Sequence, residues 1–137
     1  SVWDLEEADI VIVGVSRTSK SPTSIYLAYR GYRTANIPYV PGVELQGEIE
    51  NLQNPLVVGL TINPEVLVQI RKNRLMSLNE ESFTNYTDID EVKEELKIAR
   101  KFFMQNKWPI IDVSRRSVEE TAATIIQYYE KRKSDSK

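Results

Sequence analysis

Residues 9–22, DIVIVGVSRTSKSP, pass from an unbroken apolar run through a turn of small residues carrying one lysine into the start of a helix. Ile10 to Val13 are all β-branched, and a half-exposed strand would alternate, so this run reads as a parallel strand buried on both faces. The helix after it is expected near Lys20, with Pro22 tolerated in the first turn and Gly31 as its C-terminal stop. A buried strand, a tight turn and a helix in that order are the unit of an α/β sandwich.

Working outward, the same unit recurs. YRTANIPYV (32–40) reads as a second strand, and PGVELQGEIEN (41–51) as a loop with a turn or two of helix. Pro55 to Ile62, PLVVGLTI, is a third apolar strand, followed by Asn63 as N-cap and Pro64 opening a helix. Ser77 to Asp90 is polar and weakly patterned and reads as a mobile loop, with Asp88 or Asp90 capping the next helix, Glu91 to Asn106. In that helix Val92, Leu96, Ala99 and Phe103 fall on one stripe. WPIIDVS (108–114) is a fourth strand; Ser117 and Glu120 match a capping box for a last helix with Val118, Ala122, Ile125 and Tyr129 inward, and Ser134 to Lys137 are expected to fray. The fold class expected is α/β, a three-layer sandwich around a short parallel sheet of the P-loop kinase type, as one domain over 1–137.

Composition narrows the chemistry. The chain has 137 residues with no Cys and no His, which removes disulfides, thiolate and Ser-His-Asp catalysis and the usual transition-metal sites. A net charge of -2 argues against a protein built mainly to hold nucleic acid. The apolar runs are far short of a membrane span, and the acidic start SVWDLEEADI does not resemble a secretory signal, so the expectation is no membrane and a cytoplasmic location. The start without Met reads as a C-terminal piece of a longer chain.

Gly14-Val15-Ser16-Arg17-Thr18-Ser19-Lys20-Ser21 has the spacing of the phosphate-binding loop G-x-x-x-x-G-K-[ST], with Ser19 where the second glycine belongs. That spacing surrounds a phosphate chain with backbone N–H groups, sets a helix N-terminus behind it, and supplies an ammonium at Lys20 and a hydroxyl at Ser21 for Mg²⁺. The substitution is tolerable if φ at Ser19 stays negative or the strain is modest. A Ser/Thr-rich turn with a good N-cap is the bland alternative. The context of strand before and helix after favours phosphate.

Ligands in open parallel sheets gather beyond the carboxyl ends of the strands. Arg71 and Arg74, three apart on one helix, suit a pair of guanidinium groups on phosphate, although a solvated helix end would read the same way. Asp112, Arg115 and Arg116 follow the fourth strand; a carboxylate orienting an acceptor beside anion-binding arginines and an ordinary strand-end turn fit equally well. The third strand carries no acid, which leaves Mg²⁺ to Ser21, water and the nucleotide.

Three stretches, ADIVIVGVSRTSKSPTSIYLAYRGYRTANIPYVPG (8–42), LTINPEVLVQIRKNRL (60–75) and WPIIDVSRRSVEETAATII (108–126), together resemble the pyruvate, phosphate dikinase regulatory proteins and their phosphoenolpyruvate synthase counterparts. The resemblance implies a bifunctional enzyme that uses ADP to phosphorylate a threonine of the dikinase and lets inorganic phosphate remove it as pyrophosphate. It implies ADP on Gly14 to Ser21, and it implies a further N-terminal domain in the family. On that basis Lys20 is assigned to the phosphates, Ser21 to Mg²⁺, Asp112 to the acceptor, and Arg71, Arg74, Arg115 and Arg116 to the transferring phosphoryl or the phosphothreonine. The 108–123 stretch looks closer to the dikinase branch than to the synthase branch. A looser likeness to nucleoside monophosphate kinases lies in INPEVLVQIRKNR (62–74) and IIDVSRRSVEET (110–121). A small-molecule kinase of the nucleotide or shikimate type and a non-catalytic nucleotide-sensing module stand as rivals; a homodimer is left open.

Overall fold

Where apolar β-branched runs were expected to bury themselves, they do. The computed structural model describes residues 4–43, 49–79 and 85–136. Its regular elements are β1 (Ile10–Gly14), α1 (Lys20–Tyr29), β2 (Thr34–Pro38), β3 (Leu56–Thr61), α2 (Pro64–Ser77), α3 (Ile89–Gln105), β4 (Ile110–Asp112) and α4 (Val118–Asp135). The strands form one parallel sheet in the order β2-β1-β3-β4. Ile10 lies beside Thr34 on one side and Leu56 on the other, and Gly59 beside Ile110. All five residues of β1 are buried, as its lack of alternation requires. Helix α1 pairs with α4, and α2 with α3; α4 and α3 both pack on β3, so helices flank the sheet as two layers.

Local signals account for the element ends. Asn63 accepts from the N–H groups of Glu65 and Val66 ahead of Pro64, which needs no donor there. Asp88 caps α3 through the N–H of Glu91. Ser117 and Glu120 form the expected reciprocal box at α4. Gly31, at φ +100°, follows the C-cap Arg30 and ends α1.

Val92, Leu96, Ala99 and Phe103 of α3 are all buried. Phe103 packs closely on β3: a Cβ placed on Gly59 would come within 2.3 Å of its ring, so the strand needs a residue without a side chain there. On α4, Ala122 and Ile125 are buried as expected, but Val118 and Tyr129 are only half-buried and Thr121 takes the inner place. That helix also continues through Asp135 rather than fraying at Ser134. The stretch 77–90 departs further from a loose loop. Ser77 closes α2, Thr87 is buried, and Tyr86 packs against α2. Residues 80–84 of that loop and 44–48 of the earlier one lie outside the described residues.

Candidate functional site

The carboxyl ends of β1, β3 and β4 bring three turns to one edge of the sheet. The turn after β1 is held from within. The carbonyl of Val15 accepts from the Thr18 hydroxyl at 2.8 Å and from the Lys20 ammonium at 2.7 Å. Thr18 is fully buried, and its hydroxyl oxygen occupies space that a Cβ on Gly14 would need, 2.8 Å away, which explains the glycine at the start of the loop.

Arg17 and Ser19 both have positive φ, +71° and +66°. Ser19 therefore adopts the left-handed conformation of the glycine it replaces, rather than the negative φ that would have spared it strain. Such residues cost on the order of 1–3 kcal/mol each and gather where a ligand is clamped. Ser19 also makes no side-chain cap hydrogen bond, so it is not the good N-cap that the bland alternative supposed. Of the four α-helices among the described residues, α1 alone lacks a side-chain cap at its N-terminus. Among the described residues, the backbone N–H groups of Ser16, Arg17, Ser19, Lys20 and Ser21 meet no protein acceptor. Several donors, a helix N-terminus and an ammonium meet in this one turn, an arrangement chemically suited to an anion. The Lys20 ammonium is lowered from 10.5 to about 8, first by burial and then by the Arg71 and Arg17 guanidinium groups.

The structure separates the two arginines of α2. Arg74 is exposed. Arg71 is 1% exposed and inside a network. Its Nη1 donates to Glu95 Oε1 at 2.8 Å and to the Tyr86 carbonyl at 3.0 Å; its Nη2 donates to Glu95 Oε2 at 2.9 Å and to the Ser16 carbonyl at 3.2 Å. The Tyr86 ring covers the guanidinium, with Cζ 4.3 Å from its centroid, and the Tyr86 and Ser16 hydroxyls share a hydrogen bond of 2.9 Å. All four terminal N–H groups are thus committed to protein, and Arg71 and Arg74 do not form the expected two-guanidinium grip. Glu95 and Tyr86 were not legible as site residues: each lies far from the loop in sequence, and a glutamate on a charged helix face carries no mark of an inward partner.

A cleft of about 760 Å³ opens between the ends of β3 and β4, lined by Asn63, Asp112, Ser114, Arg115 and Arg116 among others. Asp112 Oδ1 accepts from the N–H of Ser114 at 2.8 Å and from its hydroxyl, whose oxygen accepts from the N–H of Asn63 at 2.7 Å. Asp112 thus ties the two turns together and keeps its second carboxylate oxygen for other use. Arg116 donates to Thr124 at 2.7 Å and Arg115 is exposed. The Ser117 N–H and hydroxyl hold the Glu120 carboxyl below the usual carboxylate range.

Among the described residues no three acidic side chains converge as a metal cage, and no helix is long and apolar enough to cross a membrane. The exposed Ser21 hydroxyl, one residue after Lys20, fits a cation that takes most of its ligands from phosphate and water.

Comparison with known proteins gives two findings. A family model described as kinase/pyrophosphorylase matches residues 1–126. The chain is also 54% identical over 131 residues to a protein of Wolbachia pipientis subsp. Culex pipiens, and 60% identical over 123 residues to one of Maricaulis maris; these matches cover 96% and 90% of the chain and 48% and 44% of the two relatives. A protein of Erythrobacter litoralis is 58% identical over 127 residues. All three carry the provisional name pyruvate, phosphate dikinase regulatory protein. The chain spans about half the length of these relatives.

Proposed function

The chain belongs to the kinase/pyrophosphorylase family, and from that premise we propose that it is the nucleotide-binding part of an ADP-dependent protein kinase that regulates pyruvate, phosphate dikinase. In the forward reaction a threonine oxygen of the dikinase bonds to the β-phosphorus of ADP, the bond from that phosphorus to the α–β bridging oxygen breaks, and AMP leaves while the hydroxyl proton is lost. In the opposing reaction an oxygen of inorganic phosphate attacks the phosphothreonine phosphorus, giving pyrophosphate and the free threonine. Both are in-line displacements, in which positioning and charge neutralisation do most of the catalytic work and neither His nor Cys is required.

The observation that carries this reading is the uncapped, doubly left-handed turn at 14–21 with its open amides and half-buried lysine. The amides of Ser16, Arg17, Ser19, Lys20 and Ser21 and the Lys20 ammonium bind the diphosphate. Ser21 Oγ would hold Mg²⁺, which when bound spreads the negative charge of the phosphates. Arg115 and Arg116, beside the cleft, face the incoming phosphoryl or phosphothreonine, with exposed Arg74 a more distant candidate, and Asp112 orients the acceptor through its unused oxygen. The names of the relatives favour the dikinase over phosphoenolpyruvate synthase as target.

Transfer is tested by incubating the chain, and a full-length relative, with β-phosphate-labelled ADP or γ-phosphate-labelled ATP and each candidate target, then locating phosphate by mass spectrometry. Label from ADP on a dikinase threonine is the expected result. Label taken from ATP and found on a small molecule would favour the small-molecule kinase. Tight ADP binding without transfer by either protein would favour the sensing module.

A further inference from the structure

Ser16 is held at two atoms by residues outside the loop. Its carbonyl accepts from Arg71 Nη2, and its hydroxyl is hydrogen-bonded to Tyr86. Arg71 in turn cannot turn freely: Glu95 takes both ends of its fork at 2.8 and 2.9 Å, and the Tyr86 ring and carbonyl close it in. A guanidinium of this burial demands a counter-charge, and Glu95 supplies it in the bidentate geometry that fixes orientation as well as charge.

The peptide bond carries this fixation one step further. The carbonyl of Ser16 and the N–H of Arg17 belong to a single planar trans unit and point in opposite directions. Pinning that carbonyl toward Arg71 therefore turns the Arg17 N–H away from α2, and this N–H is among those without a protein acceptor. Val15 repeats the arrangement from inside the loop, since its carbonyl, bound by Thr18 and Lys20, sets the N–H of Ser16. Two consecutive donors are thus aimed by bonds made on the reverse side of their peptide planes.

We propose that Glu95 and Tyr86 are positioning residues of the phosphate loop: through Arg71 and Ser16 they fix the peptide plane that presents the Arg17 N–H to the phosphates of a nucleoside diphosphate. The inference rests on the nucleotide reading above and adds what preorganises its donors. Arg71 acts from behind the loop, as a strut, and its contribution to the ligand passes through the backbone.

The test compares Glu95→Gln, Tyr86→Phe and Lys20→Ala with the unsubstituted chain, measuring affinity for Mg·ADP and for inorganic pyrophosphate by calorimetry well below each variant's melting temperature. Glu95→Gln is expected to weaken both ligands about tenfold, the scale of one charge-assisted hydrogen bond. Tyr86→Phe keeps the ring on Arg71, loses only the hydroxyl, and is expected to weaken both about threefold. Equal losses for ADP and pyrophosphate place the effect on the phosphate loop rather than on the base. Should Glu95→Gln fail to fold, Tyr86→Phe alone decides. If Lys20→Ala loses binding while Tyr86→Phe and every folded Glu95→Gln sample bind as the unsubstituted chain does, even with lower melting temperatures, the pair is a stability feature and the strut is overturned. If the unsubstituted chain binds neither ligand, the nucleotide reading itself falls, and the strut with it.

Discussion

The turns after β1 and β4 leave the same edge of one sheet and each runs into a helix, yet they treat the helix N-terminus in opposite ways. At α4 the Ser117 hydroxyl takes the N–H of Glu120, the Glu120 carboxylate takes the N–H of Ser117, and Asp112 takes that of Ser114, so the turn satisfies itself from its own side chains. At α1 nothing caps the helix, two residues sit at positive φ, and the side chains of Thr18 and Lys20 bond a carbonyl rather than an amide. One turn is closed at low energy; the other holds its donors open at a cost in strain. Serines and a charged residue stand in both. What differs is whether the side chains accept from the backbone or donate to it.

The sharpest way to break this contrast is to remove the ammonium. Lys20→Ala is expected to lower phosphoryl transfer from ADP by at least about a hundredfold, the scale of deleting one preorganised donor to a developing charge. Transfer rates with labelled ADP and a calorimetric Kd measure it, and unchanged values in both would return the β1 turn to the status of its β4 counterpart.

A smaller effect comes from pH. The Lys20 ammonium loses its proton around pH 8 instead of 10.5, so affinity for ADP should fall as pH rises above about 8, by up to about tenfold per unit. Stability moves the other way. Below pH 8 the group is charged in both folded and unfolded chains and its burial opposes folding; between 8 and 10.5 the unfolded chain binds more proton, so this group's contribution to stability rises with pH. Opposite slopes of ADP affinity and unfolding free energy against pH, both lost in Lys20→Ala, are the signature. A flat affinity profile to pH 10 would place the phosphates away from this lysine.

The same contrast explains what was legible in the sequence. Strand runs such as IVIV, the cap at Asn63 and the box at Ser117 are local, and the chain folds there as local rules require. The spacing of 14–21 was legible for the same reason. Ser19 was readable only as a departure from glycine; that it takes the glycine's φ is decided by the loop around it. Arg71 was misassigned as a phosphate grip because helical spacing cannot tell which of two arginines turns inward, and its partner Glu95 lies 24 residues away. Tyr86 stood in a polar stretch with no periodicity, so its packing on Arg71 had no local trace. Gly59 did leave one, a lone glycine inside an apolar strand, which marks the close approach of another group, here Phe103.

The smallest effects probe the two turns directly. Ser117→Ala removes a cap and is expected to cost about 1 kcal/mol in urea unfolding while leaving the Kd for ADP unchanged. Ser19→Gly should do the reverse in sign. Glycine relieves the left-handed strain, worth about 1–2 kcal/mol, but adds freedom to the unfolded chain, worth about 0.4–1 kcal/mol, so a net gain of about 0.5 kcal/mol is expected with nucleotide affinity retained. The two substitutions thus separate a turn that contributes stability from one that gives it up. Loss of stability in Ser19→Gly would mean that the serine side chain supports the loop, and the strain at φ +66° would then no longer distinguish the β1 turn from its neighbour.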